Sequence, residues 1–281
     1  MPENAGLSSP AKPALTGIYL LIAEQAESSC IIRDVTMGLA WTCIQVEDPA
    51  TGQLGSGLCF SPTVHDRNIP WSGTLTGKPV NDLLPWLQSW HATETAVAIA
   101  AANAVLSMNN PMIGQATPIP TPVRAITDSN LSVFQYFAPR LRETTAQGSH
   151  SQKKNVTIIG RYPGIDKLRS QFDFAIIEQN PQGNDYPAVA ADYVLPDSDW
   201  VFITASSLFN KTLPHLLSLS QNAEVVLMGP TMPWLAQWKA YGVDHLAGVE
   251  VKDYELLKRI AMEGGGTRIF DEAVEYRVLG L

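Results

Sequence analysis

Three short stretches of the sequence combine residues that hold small anions: glycines that expose backbone amides, and hydroxyl or amide side chains placed just before an apolar run. The first is GRYPGIDKL, where Gly160, Arg161, Pro163 and Gly164 end the apolar segment VTIIG and open the next element. Pro163 suits a first helical turn, where its missing N–H is not needed, and Gly164 leaves backbone exposed. Amides at such a helix start can seat an anion. The second, ITASSLFNKTLPHLL, carries Thr204, Ser206, Ser207, Asn210 and Thr212 ahead of an apolar helix. Asn210 or Thr212 fits an N-cap and the serines fit a turn, and capping does not exclude contact with a ligand. The third, GPTMPW, places Gly229, Pro230 and Thr231 before another helix, with Gly229 allowing close backbone approach and the prolines stiffening the loop.

The same residues exclude some chemistry. A nicotinamide fingerprint needs glycines at three set positions, and here Arg161 and Tyr162 stand where the pyrophosphate would approach. Glu178, at the end of the next apolar segment, stands near where a ribose-binding acid would sit, or is a strand-end carboxylate in water. Zinc sites show paired Cys or His at short spacing, or helix-based pairs. His65, His91, His150, His215 and His245 are scattered instead, and the nearest local cluster is Cys59, His65 and Asp66. Spacing therefore supports no bare metal cage and leaves room for a metal carried inside a chelate.

These loops need a sheet to position them. From residue 155 the chain alternates apolar strands with helical patterns, as a βαβ domain does: VTIIG, FAII, a short DYVL, WVFIT, VVLMG and LAGVEV, with helices starting near Pro163, Leu213, Pro233 and Tyr254. Strands this continuously apolar predict a parallel sheet covered on both faces. In such sheets ligands bind beyond the carboxyl ends of the strands, where strand order reverses. The Gly264–Gly266 run reads as a helix C-terminus and turn.

Upstream, LTGIYLLIAEQA has Leu15, Ile18, Leu21 and Ile22 on one helical stripe, predicted to pack on a sheet. The sheet comes from IIRDVTMGLAWTCIQVED and LGSGLCF, joined across the turn signal DPATG as an antiparallel hairpin. Helical patterns follow in VNDLLPWLQSW and TETAVAIAAANAVL. We read residues 14–108 as a small α+β domain, 109–128 as a proline-rich linker and 129–281 as the α/β domain, led by the helix NLSVFQYFAPRLRE with Leu131, Phe134 and Phe137 on its apolar face. The proline- and serine-rich first dozen residues are expected to be disordered.

Composition sets the outer bounds. Hydrophobic residues make up 45% of the 281 and charged residues 16%, so the chain can build globular cores. A net charge of −8 with no basic stripe disfavours nucleic acid. The apolar run Ala96 to Leu106 is about half of the roughly 20 residues a membrane span needs. Three cysteines without pairing pattern, and a start unlike a signal peptide, fit a reducing cytoplasm.

Read together, the G-x-x-P at Gly160 and Pro163, the E-x-x-P at Glu178 and Pro181, the T-x-x-x-x-x-N-x-T from Thr204 to Thr212, GPTMP and YGVDHLAG resemble a two-domain heavy-metal-chelation family of unknown function. GLAWT, GSGLCF and the helix ending in Asn103 and Ala104 extend the likeness into the N-terminal part. The chain departs from it with Thr231 and Met232 where GPS-T is common, and Ala205 with Ser206 where Gly-Thr is common. The resemblance implies an enolase N-terminal-like domain followed by a Rossmann-like one, an interdomain cleft as the site, and a link to metals, metallophores or tetrapyrroles. It implies no catalytic residue.

Three functions follow as expectations. The first is a cytoplasmic protein holding a small anionic molecule or metal chelate through Gly160, Arg161, Pro163, Gly164, Glu178, Thr204, Ser206, Asn210, Thr212, Gly229, Pro230 and Thr231. The second is an enzyme on such a metabolite, with Glu178 or His215 as acid or base and Arg161 or Lys211 orienting an anion. The third is a structural or dimerisation module, a homo-oligomer built on the apolar N-terminal helices.

Overall fold

The structure is a computed structural model and describes residues 17–63, 69–119, 131–142, 145–147, 150–152 and 154–281. The proline-rich start, Leu15, His65 and Asp66 lie outside the described residues, as does the side chain of His150. The N-terminal layer runs α1 (Gly17–Ala26), a meander of β1 (Ile31–Met37), β2 (Trp41–Glu47) and β3 (Leu54–Phe60), two 3-10 turns (Val80–Asp82 and Leu84–Gln88), and α2 (Ala92–Ser107). All three strands pair antiparallel in the order β1-β2-β3, as the turn signal predicts.

Helix α2 is alanine-rich because it lies against backbone. A Cβ on Gly57 would come within 2.2 Å of the Ala104 nitrogen, and one on Gly55 within 2.2 Å of the Ala104 oxygen. Glycine in β3 opposite alanine in α2 lets helix and sheet approach this closely. Helix α1 was expected on a sheet; it packs instead on α2 and the 3-10 turn, burying Ile18, Tyr19, Ile22 and Ala26. The helical pattern expected over VNDLLPWLQSW closes as two 3-10 turns, with Pro85 at the start of the second.

Then come α3 (Pro111–Gln115) and β4 (Thr117–Pro118), both inside the stretch read as linker, followed by α4 (Ser132–Arg142) and the hairpin β5 (Thr145–Gln147) and β6 (His150–Gln152). The second sheet is built from β7 (Val156–Ile159), β8 (Ala175–Glu178), β9 (Tyr186–Pro187), β10 (Trp200–Thr204), β11 (Glu224–Met228), β12 (His245–Val251) and β13 (Val274–Gly280), with α5 (Ala191–Val194), α6 (Leu213–Leu219), α7 (Tyr254–Met262) and α8 (Ile269–Glu272) between them. Its order is β4-β13-β12-β11-β10-β7-β8-β9. The chain moves outward from β7 to β8 on one side and returns to β10 on the other, so the order reverses between β7 and β10.

Two expectations need correction. The sheet is mixed: pairing is parallel from β9 to β12, but β13 and β4 run antiparallel at the other edge. The segment DYVL is helical, in α5 and the 3-10 turn Leu195–Asp197, with Ala191 and Leu195 buried and Tyr193 exposed. A four-residue apolar run cannot reveal its own period, and burial at i and i+4 is the helical one.

Alternate residues of β10 enter cores on opposite faces of the sheet, Val201 and Ile203 on one, Trp200 and Phe202 on the other. The first core continues without a break into Ile44, α1 and α2. On the other face, α7 covers the N-terminal meander: the Tyr254 hydroxyl donates to Asp34 at 3.1 Å, Lys258 pairs with Asp34 at 2.7 Å, and Trp41 Nε1 donates to the Gly266 carbonyl at 2.8 Å. The small sheet is thus clasped between its own α2 and a helix from the far end of the chain. Among the described residues no helix is long and apolar enough to cross a membrane.

Candidate functional site

At the reversal between β7 and β10, Gly160 has φ +95°, and a Cβ there would lie 3.0 Å from Thr204 Cγ2. That close approach requires glycine at the end of β7. Beyond it, the Arg161 amide donates to Glu178 Oε2 at 2.8 Å, while Glu178 Oε1 accepts from the amides of Gln179 at 2.7 Å and Asn180 at 3.2 Å. The carboxylate of Glu178 therefore occupies an amide that the sequence offered to an anion.

The Arg161 guanidinium is also engaged, with Asp185 at 2.6 Å and with Asp166. Arg169 and Arg161 together hold the Asp166 carboxyl below its usual range. Gly164, with φ +78°, leads into a six-residue 3-10 helix, Ile165–Ser170, where a helix starting near Pro163 was expected. Tyr162 packs edge-on against Phe134 at 5.1 Å, and burial raises its hydroxyl pKa beside Thr204 and Glu178.

The loop after β10 carries the polar groups. Thr204 Oγ1 lies 2.9 Å from Ser206 Oγ and accepts the Ser206 amide, capping the 3-10 turn Ala205–Leu208. Ser207 is turned inward, donating to the Thr204 carbonyl at 2.7 Å. Asn210 Oδ1 accepts from the Thr212 amide at 3.1 Å and hydroxyl at 2.7 Å, so its oxygen serves the turn while its Nδ2 has no partner among the described residues.

The N-terminal layer closes over this loop. Tyr19 donates to the Leu208 carbonyl at 2.8 Å, and Phe60 stacks on Phe209 at 6.4 Å between centroids. Lys211 sits at φ +67°, reaches the Leu87 carbonyl and lies 4.1 Å from the Tyr19 ring centroid; burial lowers its pKa to about 8. Phe60, the partly exposed aromatic at this edge, was missed in the sequence because an odd aromatic at a strand end carries no local signal of what faces it.

The third loop lies deeper. Gly229, Pro230 and Thr231 are buried, with the Gly229 amide bonded to the Ala247 carbonyl at 2.9 Å. Thr231 Oγ1 accepts the Phe60 amide at 2.9 Å, and its carbonyl accepts from Asn103 Nδ2 at 3.0 Å. These contacts fasten the loop to β3.

The histidines do not gather here. His91 is exposed at the start of α2, and His215 pairs with Asp192 at 2.9 Å on an exposed surface. His245, at the amino end of β12, pairs with Glu224 at 2.7 Å. Among the described residues no three His, Cys, Asp or Glu side chains come together to hold a metal ion.

Two family models match the chain, over residues 19–106 and 145–279, and both are described as "Putative heavy-metal chelation". A crystal structure of a protein of unknown function from Desulfitobacterium hafniense superposes with a TM-score of 0.75 at 23% identity, covering 94% of this chain and 97% of that one. Another of unknown function, from Pyrococcus horikoshii, gives 0.68 at 21% identity over 94% and 98%. An uncharacterized protein of Methanocaldococcus jannaschii is 30% identical over 110 residues, which span 36% of this chain and 42% of that relative.

Proposed function

The chain belongs to the family that carries this description, one of unknown function, and from that premise we propose that it binds a small anionic molecule or a metal chelate at the loops after β7 and β10. The observation that carries the reading is the division of labour in Asn210: its oxygen holds the Thr212 turn, and its Nδ2 is left as an unspent donor. Thr204 and Ser206 hydroxyls stand on the same loop, as does Lys211, whose ammonium reaches the Leu87 carbonyl. Hydroxyl, amide and ammonium donors at a strand-order reversal suit an anionic periphery. A chelate brings its own donor atoms to the metal, so recognising its edge needs no protein ligand cage.

The finer fold reading belongs to the same proposal. A three-stranded meander under α2 supports an enolase N-terminal-like domain, and the parallel order β11-β10-β7-β8 supports a Rossmann-like one. We favour binding over catalysis because backbone amides bond both oxygens of Glu178, and His215 is tied to Asp192 on the surface.

Titration calorimetry and thermal shift with inorganic phosphate, citrate and the iron(III)–citrate chelate test the reading. Asn210→Asp keeps an oxygen for Thr212 and replaces the free N–H donor with a negative charge. At least one probe should stabilise the protein saturably, and the variant should bind it roughly tenfold more weakly or worse. Failure of all three probes, or equal binding by Asn210→Asp, would reject this function.

A further inference from the structure

A second space lies between the two sheets, away from these loops. Antiparallel pairing with β2 uses the backbone groups of Gly55, Gly57 and Cys59, so those of Ser56, Leu58 and Phe60 turn outward along the free edge of β3. Side chains cover that edge: the Ser56 amide donates to Ser107 Oγ at 3.2 Å, the Leu58 carbonyl accepts from Asn103 Nδ2 at 3.1 Å, and the Phe60 amide donates to Thr231 Oγ1. Beside it is a half-open cavity of about 180 Å³, walled by α2, the loop after β11 and the end of β12.

Two side chains that carry acceptors line this cavity. Asn103 is 9% exposed; its nitrogen is spent on Leu58 and Thr231, and its Oδ1 is buried with no hydrogen-bond partner. Buried acceptors in folded proteins are normally satisfied, and this one has no donor among the described residues. Glu250 also lines the cavity. Arg277 and Lys252 both approach its Oε2, at 2.8 and 3.3 Å, and Oε1 is free among the described residues. No lining residue is cationic; polar groups make up the larger share of the exposed wall, and Leu58, Met232, Trp234 and Val249 supply apolar contact. The volume compares with the ~150 Å³ cavity that accepts a benzene-sized molecule.

We infer that this cavity binds a small alkylammonium compound, its nitrogen donating to Asn103 Oδ1 and Glu250 and its short apolar body lying against Met232, Trp234 and Val249. Several N–H donors on one nitrogen answer two acceptors, and the carboxylate selects positive charge. This site is separate from the loops after β7 and β10, so either assignment can fail without the other.

The test uses n-butylamine as probe at neutral pH, with n-butanol and butyrate as neutral and anionic counterparts, in calorimetry and thermal shift on the full chain. Butylamine should bind saturably and butyrate should not. Glu250→Gln should weaken butylamine roughly tenfold or more. Ser56→Leu, which fills the cavity and keeps every ion pair, should abolish binding should Glu250→Gln fail to fold. Equal binding of butylamine and butanol, unchanged affinity in either folded variant, or a crystal grown with butylamine showing only water at Asn103 would overturn the inference.

Discussion

Thr231 Oγ1 accepts the backbone amide of Phe60 at 2.9 Å, although the two residues are 171 positions apart. A loop that the sequence marked for ligand contact is thereby the fastener between the two sheets. Asn103 adds to the same joint by donating to the Thr231 carbonyl at 3.0 Å.

Replacing Thr231 by Val keeps the shape and removes the acceptor, leaving the Phe60 amide unpaired at a cost of about 1–3 kcal/mol. Thr231→Ser should retain most of that stability. Because Asn103 shares the joint, Asn103→Leu and Thr231→Val should be non-additive in urea unfolding, and strict additivity would show that the joint does not act as a unit.

Two glycine-to-alanine changes should have opposite signs. At Gly57 the new Cβ would meet the Ala104 nitrogen at 2.2 Å, where neither α2 nor β3 can yield cheaply, so a loss of about 3 kcal/mol or more is expected. At Gly114, inside α3, nothing lies within 4 Å of a new Cβ, and Ala should add about 0.5–1 kcal/mol. Paired melting curves of the two variants decide this directly.

Lys211 gives a pH dependence. Burial sets its pKa at about 8 in the folded chain, against roughly 10.4 when unfolded. Between those values the unfolded chain binds more protons, so this group makes stability rise with pH; below about 8 both states are charged and the burial penalty is complete. Lys211→Met should therefore gain on the wild type at pH 7 and lose that advantage toward pH 10. Denaturant unfolding at the two pH values measures it, and a difference that does not change with pH would contradict the assignment.

The thiols of Cys30, Cys43 and Cys59 are free and buried. Desolvation pushes the Cys43 thiol up to about 12 and raises that of Cys59 as well. Native protein at pH 8 should react with a thiol reagent only at the rate of global opening, with all three groups appearing on addition of denaturant. Rapid labelling of Cys43 in native conditions would show that the meander opens locally.

The loops after β7 and β10 were legible because strand-end glycine, proline and hydroxyl residues have local backbone reasons to be there, and Gly160 and Thr204 indeed end neighbouring strands at the order reversal. What each polar group is bonded to was not legible. Arg161 answers two aspartates, and Glu178 answers the Arg161 amide and two of its own loop's, and such pairings depend on distances that spacing does not encode.

By itself the sequence determined the antiparallel meander, the long apolar strands and the long helices, because these follow from side-chain periodicity within a few residues. Tertiary structure alone decided that DYVL is helical, that VEYRVLG adds an antiparallel strand between β12 and β4, and that α7 clasps the N-terminal meander. It also made Thr231, which the sequence marked for ligand contact, an interior bracket and left Asn103 with an unanswered carbonyl. Burial and hydrogen-bond satisfaction are set by residues hundreds of positions apart, and no window of sequence contains both partners.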